Sequence, residues 1–399
     1  MNKNIPTIRF NSFSAEWNET PFSDLYSAIA QKNDLTYGIN DIISVANMYF
    51  KPDSRITEAD YLRTYNIFLL GDIAFEGNKS KNYAHGRFVE NTIGNGIISH
   101  VFDVFRPKGE YDLFFWKYLI NNENIMRRIL IRCTNASTMM TNLVGVDFLK
   151  ESIHVPDIRE QEKVGKYLQQ LDCLIEHQQK MLTKTGQIKL SLLNNLFAKE
   201  NEIVPAIRFQ SHTDNWKLMN LNAIITPYTD YLPTPSDGYT RLGIRSHMKG
   251  TFYEYVAPNK RLGEKRLQRV KRDNFIVNIV FAWEHAIAVT TEEDEGKLVS
   301  HRFPQFSFTE GMHPRFFHYA LNDERFRHHL WLASPSGAGR NKTLRIEEMM
   351  EYELRVPEYE EQKKIADFLT SLDELIELYD YRITKLQNIK AACLQGMFV

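Results

Sequence analysis

The sequence predicts an α/β (α+β) chain in which one unit is written twice, in the order globular domain, long helix, globular domain, long helix. Three observations predict it: an internal repeat at a near-constant offset, a 3/4 spacing of apolar residues at the end of each copy, and short apolar runs broken by turn residues between. With 399 residues, 43% hydrophobic and 25% charged, the chain has the composition of an ordinary globular protein of two or three domains. Its 49 Lys and Arg against 50 Asp and Glu give no overall field that favours nucleic acid or membrane, so any such argument must be local. Cys133, Cys173 and Cys393 make no ligand spacing, which leaves little support for a disulfide framework or a zinc site and suits a reducing cytoplasm. Met1 to Phe13 lacks the apolar core of a signal peptide. The most apolar stretch, Phe275 to Val289, is interrupted by Asn278, Glu284 and His285 and is shorter than the roughly 20 residues of a membrane helix; it reads as a buried strand, and no membrane partner is expected.

The repeat is visible at both ends. Pro6, Ile8, Arg9, Phe10 and Trp17 recur as Pro205, Ile207, Arg208, Phe209 and Trp216, a shift of 199. At a shift of 201, Val155-Pro156, Glu160-Gln161 and Leu171-Asp172 recur as Val356-Pro357, Glu361-Gln362 and Leu372-Asp373, and the match runs on to Ile188-Lys189 with Ile389-Lys390. Between these anchors the matches thin out, although Tyr118 still pairs with Tyr319 and Asn121 with Asn322. A shared framework with divergent surfaces is what two readers of different targets would show.

Each domain alternates apolar runs with turns, as in Ile67 to Asp72 and Gly296 to Ser300, and so contains strands. Helices are expected at Phe114 to Ile131 and Arg315 to Leu332. The long helices follow Pro156 and Pro357, which stop the preceding strands, and Asp157, Glu160, Glu358, Glu360 and Glu361 suit their N-termini. Apolar positions including Leu168, Leu171 and Ile175 in one, and Leu369, Leu372 and Ile376 in the other, mark the stripes through which the helices pair. Gly186 makes a bend in the first plausible. Some 38 residues give a rod of roughly 57 Å, and antiparallel pairing would make the molecule pseudo-twofold. Trp17, Trp216, Phe10 and Phe209 read as core anchors between domain and helix.

Pro-x-Ile-Arg-Phe with a following Trp, then Val-Pro, Glu-Gln, Leu-Asp and a long helix, all present twice, resembles the specificity subunit of Type I restriction-modification systems, over almost the whole chain. The resemblance implies target-recognition domains at 1–156 and 199–357, alternating with conserved helical regions at 157–198 and 358–399 that form an antiparallel coiled coil. Each domain would read one half of a split, asymmetric target in double-stranded DNA, while the helices space the domains and dock two modification (methyltransferase) subunits. Restriction (translocase/endonuclease) subunits complete the implied complex. S-adenosylmethionine and ATP/Mg belong to those partners, and no cofactor is expected on this chain.

No motif for amino methylation or nucleotide binding is present, so the chain reads as non-catalytic. The loop Ser336 to Thr343 has Asn341 where a phosphate-binding loop needs glycine, and Glu284-His285 has no second histidine at helical spacing; that pair reads as strand-end polarity near DNA or solvent. The DNA candidates are local clusters. Lys260, Arg261, Lys265, Arg266, Arg269, Lys271 and Arg272 form a dense basic run that reads either as a phosphate-neutralising surface or as a solvated helix face. Lys79, Lys81, Tyr83, His85 and Arg87 form a weaker, aromatic-containing loop in the first domain. Arg340, Lys342 and Arg345 end the second recognition domain in a segment able either to reach bases or simply to connect. The rival to DNA recognition is a helical scaffold that assembles partners without reading DNA.

Overall fold

A computed structural model describes residues 4–53, 58–136, 140–258, 266–335 and 342–399. The chain divides into two compact units. One comprises Met1–Met181 with Tyr379–Val399, the other Leu182–Leu378, so each unit holds one globular domain and a part of both long helices.

The first unit is built on a four-stranded antiparallel sheet of β1 (Tyr26–Ile29), β2 (Ile73–Glu76), β3 (Arg87–Glu90) and β4 (Val104–Pro107), in the order β1-β4-β2-β3. All four residues of β2 are buried, and Phe88 and Phe105 meet Phe148 with ring centroids 4.4 and 5.0 Å apart, giving the sheet an aromatic core. Two short helices follow, α1 (Leu113–Ile120) and α2 (Glu123–Cys133), then α3 (Ile158–Asn195).

The second unit repeats this plan. Its sheet contains β5 (Ile225–Tyr228), β6 (Asn274–Val277), β7 (Ile287–Val289) and β8 (Gln305–Phe308) in the order β5-β8-β6-β7, followed by α4 (Pro314–Ala320), α5 (Glu324–Leu332) and α6 (Tyr359–Gly396). In both units the strand before the long helix, Ser152–Val155 or Glu353–Val356, pairs antiparallel with the strand that follows the tryptophan, Asn18–Pro21 or Lys217–Asn220. The units differ beside the sheet. The second adds a five-stranded sheet that includes Arg266–Arg269, whereas the first has two-stranded pairs, Asn66–Phe68 with Gly96–Ile98 and Ile43–Ser44 with Tyr49–Phe50.

Two expectations change. Phe114 to Ile131 and Arg315 to Leu332 are not single helices, because each run breaks in the middle and restarts on a capped turn. The Asn122 side chain accepts from Asn124 N at 3.1 Å, and Asp323 accepts from Arg325 N at 3.2 Å. Phe275 to Val289 is not one strand but two, β6 and β7, joined through the 3-10 turn Ala282–Glu284. The helix α3 runs through Gly186 without interruption.

Within the first unit, Tyr167 of α3 lies beside Cys393 and Asp172 bonds Lys390, so the two helical segments run antiparallel there. Leu168 and Leu171 are buried in one cluster with Cys393, Met397 and Phe398, and Ile175 is buried as well. In the second unit Leu369 is fully buried in that unit's own core with Trp216 and Phe316, Leu372 packs partly against that core, and Ile376 is only half-buried. Among the described residues no helix is long and apolar enough to cross a membrane.

Candidate nucleic-acid interface

The repeated motif residues meet where each domain joins its helix. Arg9 Nε and Nη2 donate to the two carboxylate oxygens of Glu160, each at 2.7 Å, and Nη2 also donates to Ala15 O at 2.6 Å. Arg208 repeats this on Glu361 at 2.7 and 2.8 Å and on Asp214 O at 2.6 Å. These are planar fork-to-carboxylate pairs, and the facing carboxylate raises each guanidinium pKa above its ordinary value. The glutamine next in sequence serves the adjoining helix. Gln161 Nε2 donates to Pro156 O at 3.0 Å while its Oε1 accepts from Asp112 N, and Gln362 does the same with Pro357 O and His313 N. Phe10 meets Tyr167 edge-on and Phe209 meets Phe368 in the same way, while Trp17 and Trp216 are buried. The Glu-Gln, Val-Pro and Ile-Arg-Phe motifs are therefore parts of one joint.

The described part of the basic run is not a helix face. Arg266 to Arg269 is a strand with Leu267 and Gln268 buried, while Arg266, Arg269, Lys271 and Arg272 are exposed. Each of these four has a local partner: Arg266 lies over the Tyr231 ring at 5.4 Å, Arg269 pairs with Asp230 at 3.4 Å, Lys271 sits over Tyr228 at 5.1 Å, and Arg272 is 3.6 Å from Asp273. Such contacts orient cations without burying them. Lys260, Arg261 and Lys265 lie outside the described residues, as do Arg340 and the rest of the loop from Ser336 to Asn341.

In the first domain Lys79 and Lys81 are exposed on the loop between β2 and β3, with Tyr83 half-buried beside them. Arg87 is committed to structure: it donates to Glu76 Oε2 and to Ala46 O, both at 2.7 Å, and stacks on Tyr83 at 5.1 Å. In the second domain Lys342 lies over two indoles, 5.0 Å from the Trp283 ring centre and 4.8 Å from Trp331. Arg345 is paired with Glu348 at 2.6 Å.

Residue patterns did not single out Trp283, Trp331 or Phe281, although Trp331 is 48% and Phe281 46% exposed. Their signal was available: large aromatics beside the Lys342 loop have little reason to be surface-facing unless they pack a cation or a partner. The Glu284-His285 pair is not at a strand end but at the 3-10 turn, with Glu284 half-buried and only His285 away from solvent. His285 caps the 3-10 turn in a left-handed conformation, is 4% exposed, and bonds Leu321 O through Nε2 at 2.9 Å. Burial lowers its pKa, which keeps the ring neutral.

With this geometry in place, known proteins show what the chain resembles. The Type I restriction modification DNA specificity domain matches residues 245–388, a span from the second sheet into α6. The Type I restriction enzyme MjaVIII specificity subunit of Methanocaldococcus jannaschii is 24% identical over 303 residues, 71% of this chain and 69% of that protein. The chain is thus similar to the specificity subunits of Type I restriction-modification systems. Its fold is shared with the crystal structure of a Type I restriction-modification S subunit from M. genitalium, at a TM-score of 0.57 and 13% identity over 99% of both chains. In this chain the joint formed by Arg9, Glu160 and Gln161 and its second copy is the common frame, and the exposed aromatics and cations are what differs between the halves.

Proposed function

We propose that this chain is a Type I specificity subunit, the non-catalytic DNA reader of its complex. Each globular domain reads one half of a bipartite, asymmetric duplex target, and the paired helices set the gap and dock two methyltransferase subunits. Methyl transfer from S-adenosylmethionine and ATP/Mg-dependent restriction then reside on the partners. The observation that carries this reading is duplication with divergence: two sheets of the same strand order, each tied to a long helix by the same Arg-Glu and Pro-Gln contacts, carry different exposed side chains. Exposed cations beside aromatic rings suit a duplex, because phosphates supply affinity and base edges supply selectivity.

The test is methylome sequencing of cells expressing the chain with its modification partner. Two short specific blocks at a fixed separation are expected. Partner assembly without sequence-selective modification or duplex binding would favour the scaffold reading instead.

A further inference from the structure

Taking the DNA-reading function above as its basis, we infer that the base-reading element in each domain is the tip of one hairpin, Gly77 to Gly86 between β2 and β3 and Asn278 to Ala286 between β6 and β7. These hairpins occupy the same position in sheets of the same order. Both tips are fastened to the segment that follows the second short helix. Thr141 N donates to Gly77 O at 2.8 Å and Thr141 Oγ1 donates to His85 O at 3.0 Å, while Leu344 N donates to Ile279 O at 2.9 Å. A Cβ at Gly77 would stand 2.1 Å from Thr141 O, so glycine is what lets the two backbones approach.

On this common frame the exposed chemistry diverges. The first tip carries Lys79, Lys81 and Tyr83; the second carries Phe281 and Trp283, the latter stacked with Lys342. A two-stranded ribbon fits the major groove, where lysine suits the O6 and N7 acceptors of guanine and an exposed phenyl ring suits the thymine methyl. The strand Arg266–Arg269 serves a different purpose. It belongs to the five-stranded sheet of the second unit, and the first unit has two-stranded pairs in the matching part of its domain, so it cannot be the shared reader. Its tethered cations suit phosphates.

The test is selection from randomised duplexes by the full chain together with its modification partner. Wild type is compared with Lys79→Ala/Lys81→Ala, Phe281→Ala and Arg266→Ala/Arg269→Ala, and thermal melts verify folding. Each tip variant is expected to lower discrimination in one target block only, by about 10- to 100-fold. The strand variant should weaken all duplexes alike and keep both blocks. Tip variants that retain wild-type discrimination in both blocks, or one tip variant that flattens both, overturn the assignment while leaving DNA recognition standing. A wild-type chain that selects no sequence overturns both readings.

Discussion

Lys390 donates to Oδ1 of Asp172 at 2.5 Å, and the other oxygen of that carboxylate accepts from the Tyr118 hydroxyl at 2.5 Å. Lys390 also lies 5.3 Å from the Tyr118 ring centre. The second unit repeats the cluster, with Lys189 on Asp373 and Tyr319 donating to Asp373 at 2.8 Å. Each cluster joins a short helix of the domain, the helix that follows it and a segment of the other long helix, so it fixes both rotation and register. Burial and the carboxylate raise both tyrosine pKa values, keeping the hydroxyls as donors. A double-mutant cycle on Asp172 and Lys390 should give a coupling of about 1 kcal/mol, because both side chains remain partly exposed. Additive losses in urea unfolding would mean the pair does not act as a lock.

The Arg208 and Glu361 pair is less exposed, at 15% and 1%. Glu361→Ala leaves a desolvated guanidinium and removes the acceptor of Trp216 Nε1, which lies 3.2 Å away. A loss of about 3–5 kcal/mol is expected for the second unit. Urea denaturation followed by tryptophan fluorescence measures it, and a loss under about 1 kcal/mol would show that the site relaxes around the missing carboxylate.

Glu90 gives a pH prediction. It is 3% exposed, and neither carboxylate oxygen has a hydrogen-bond partner among the described residues. Burial first, and then the nearby Asp112 carboxylate, push its pKa well above the ordinary value. The folded state therefore holds a proton that the unfolded chain gives up near about pH 4.3. Its stabilising contribution is complete below the unfolded pKa and is lost as pH rises through the folded one. Glu90→Gln should raise stability at neutral and alkaline pH and flatten this loss. Equal denaturation midpoints for variant and wild type across pH 5 to 8 would contradict it.

The exposed cations of the second domain give a salt prediction. Arg266→Ala/Arg269→Ala/Arg272→Ala should weaken binding to every duplex while preserving preference, and the slope of log K against log salt should fall by about 0.9 for each phosphate that is no longer neutralised. An unchanged slope would place these residues away from DNA.

The frame was legible because its residues are constrained twice over. Arg9, Glu160, Gln161 and their copies recur since one joint is built twice, and Leu168 and Leu369 kept helical spacing because both are fully buried. Finer features were hidden where a local competitor overrode the pattern. Asn122 and Asp323 cap a new helix inside what reads as one apolar run. The basic run left a helix face open, but Leu267 and Gln268 are drawn into a sheet in which Gln268 pairs with Tyr231, more than thirty residues away in sequence, and residue spacing does not reveal such pairing. Burial is uneven within the expected stripe. Leu369 rather than Leu372 is the fully buried position, so Leu369→Asp should cost several kcal/mol by burying an unpaired charge and Leu372→Asp should cost less. Thermal unfolding of the two variants should rank them in that order.

The claim that the domains are separate readers is tested most directly by exchanging residues 205–356 for the corresponding domain of a relative and sequencing the sites methylated by the assembled complex. The account predicts that one target block changes while the other block and the gap between them persist. A change in both blocks would contradict it, because recognition would then be shared across the two domains.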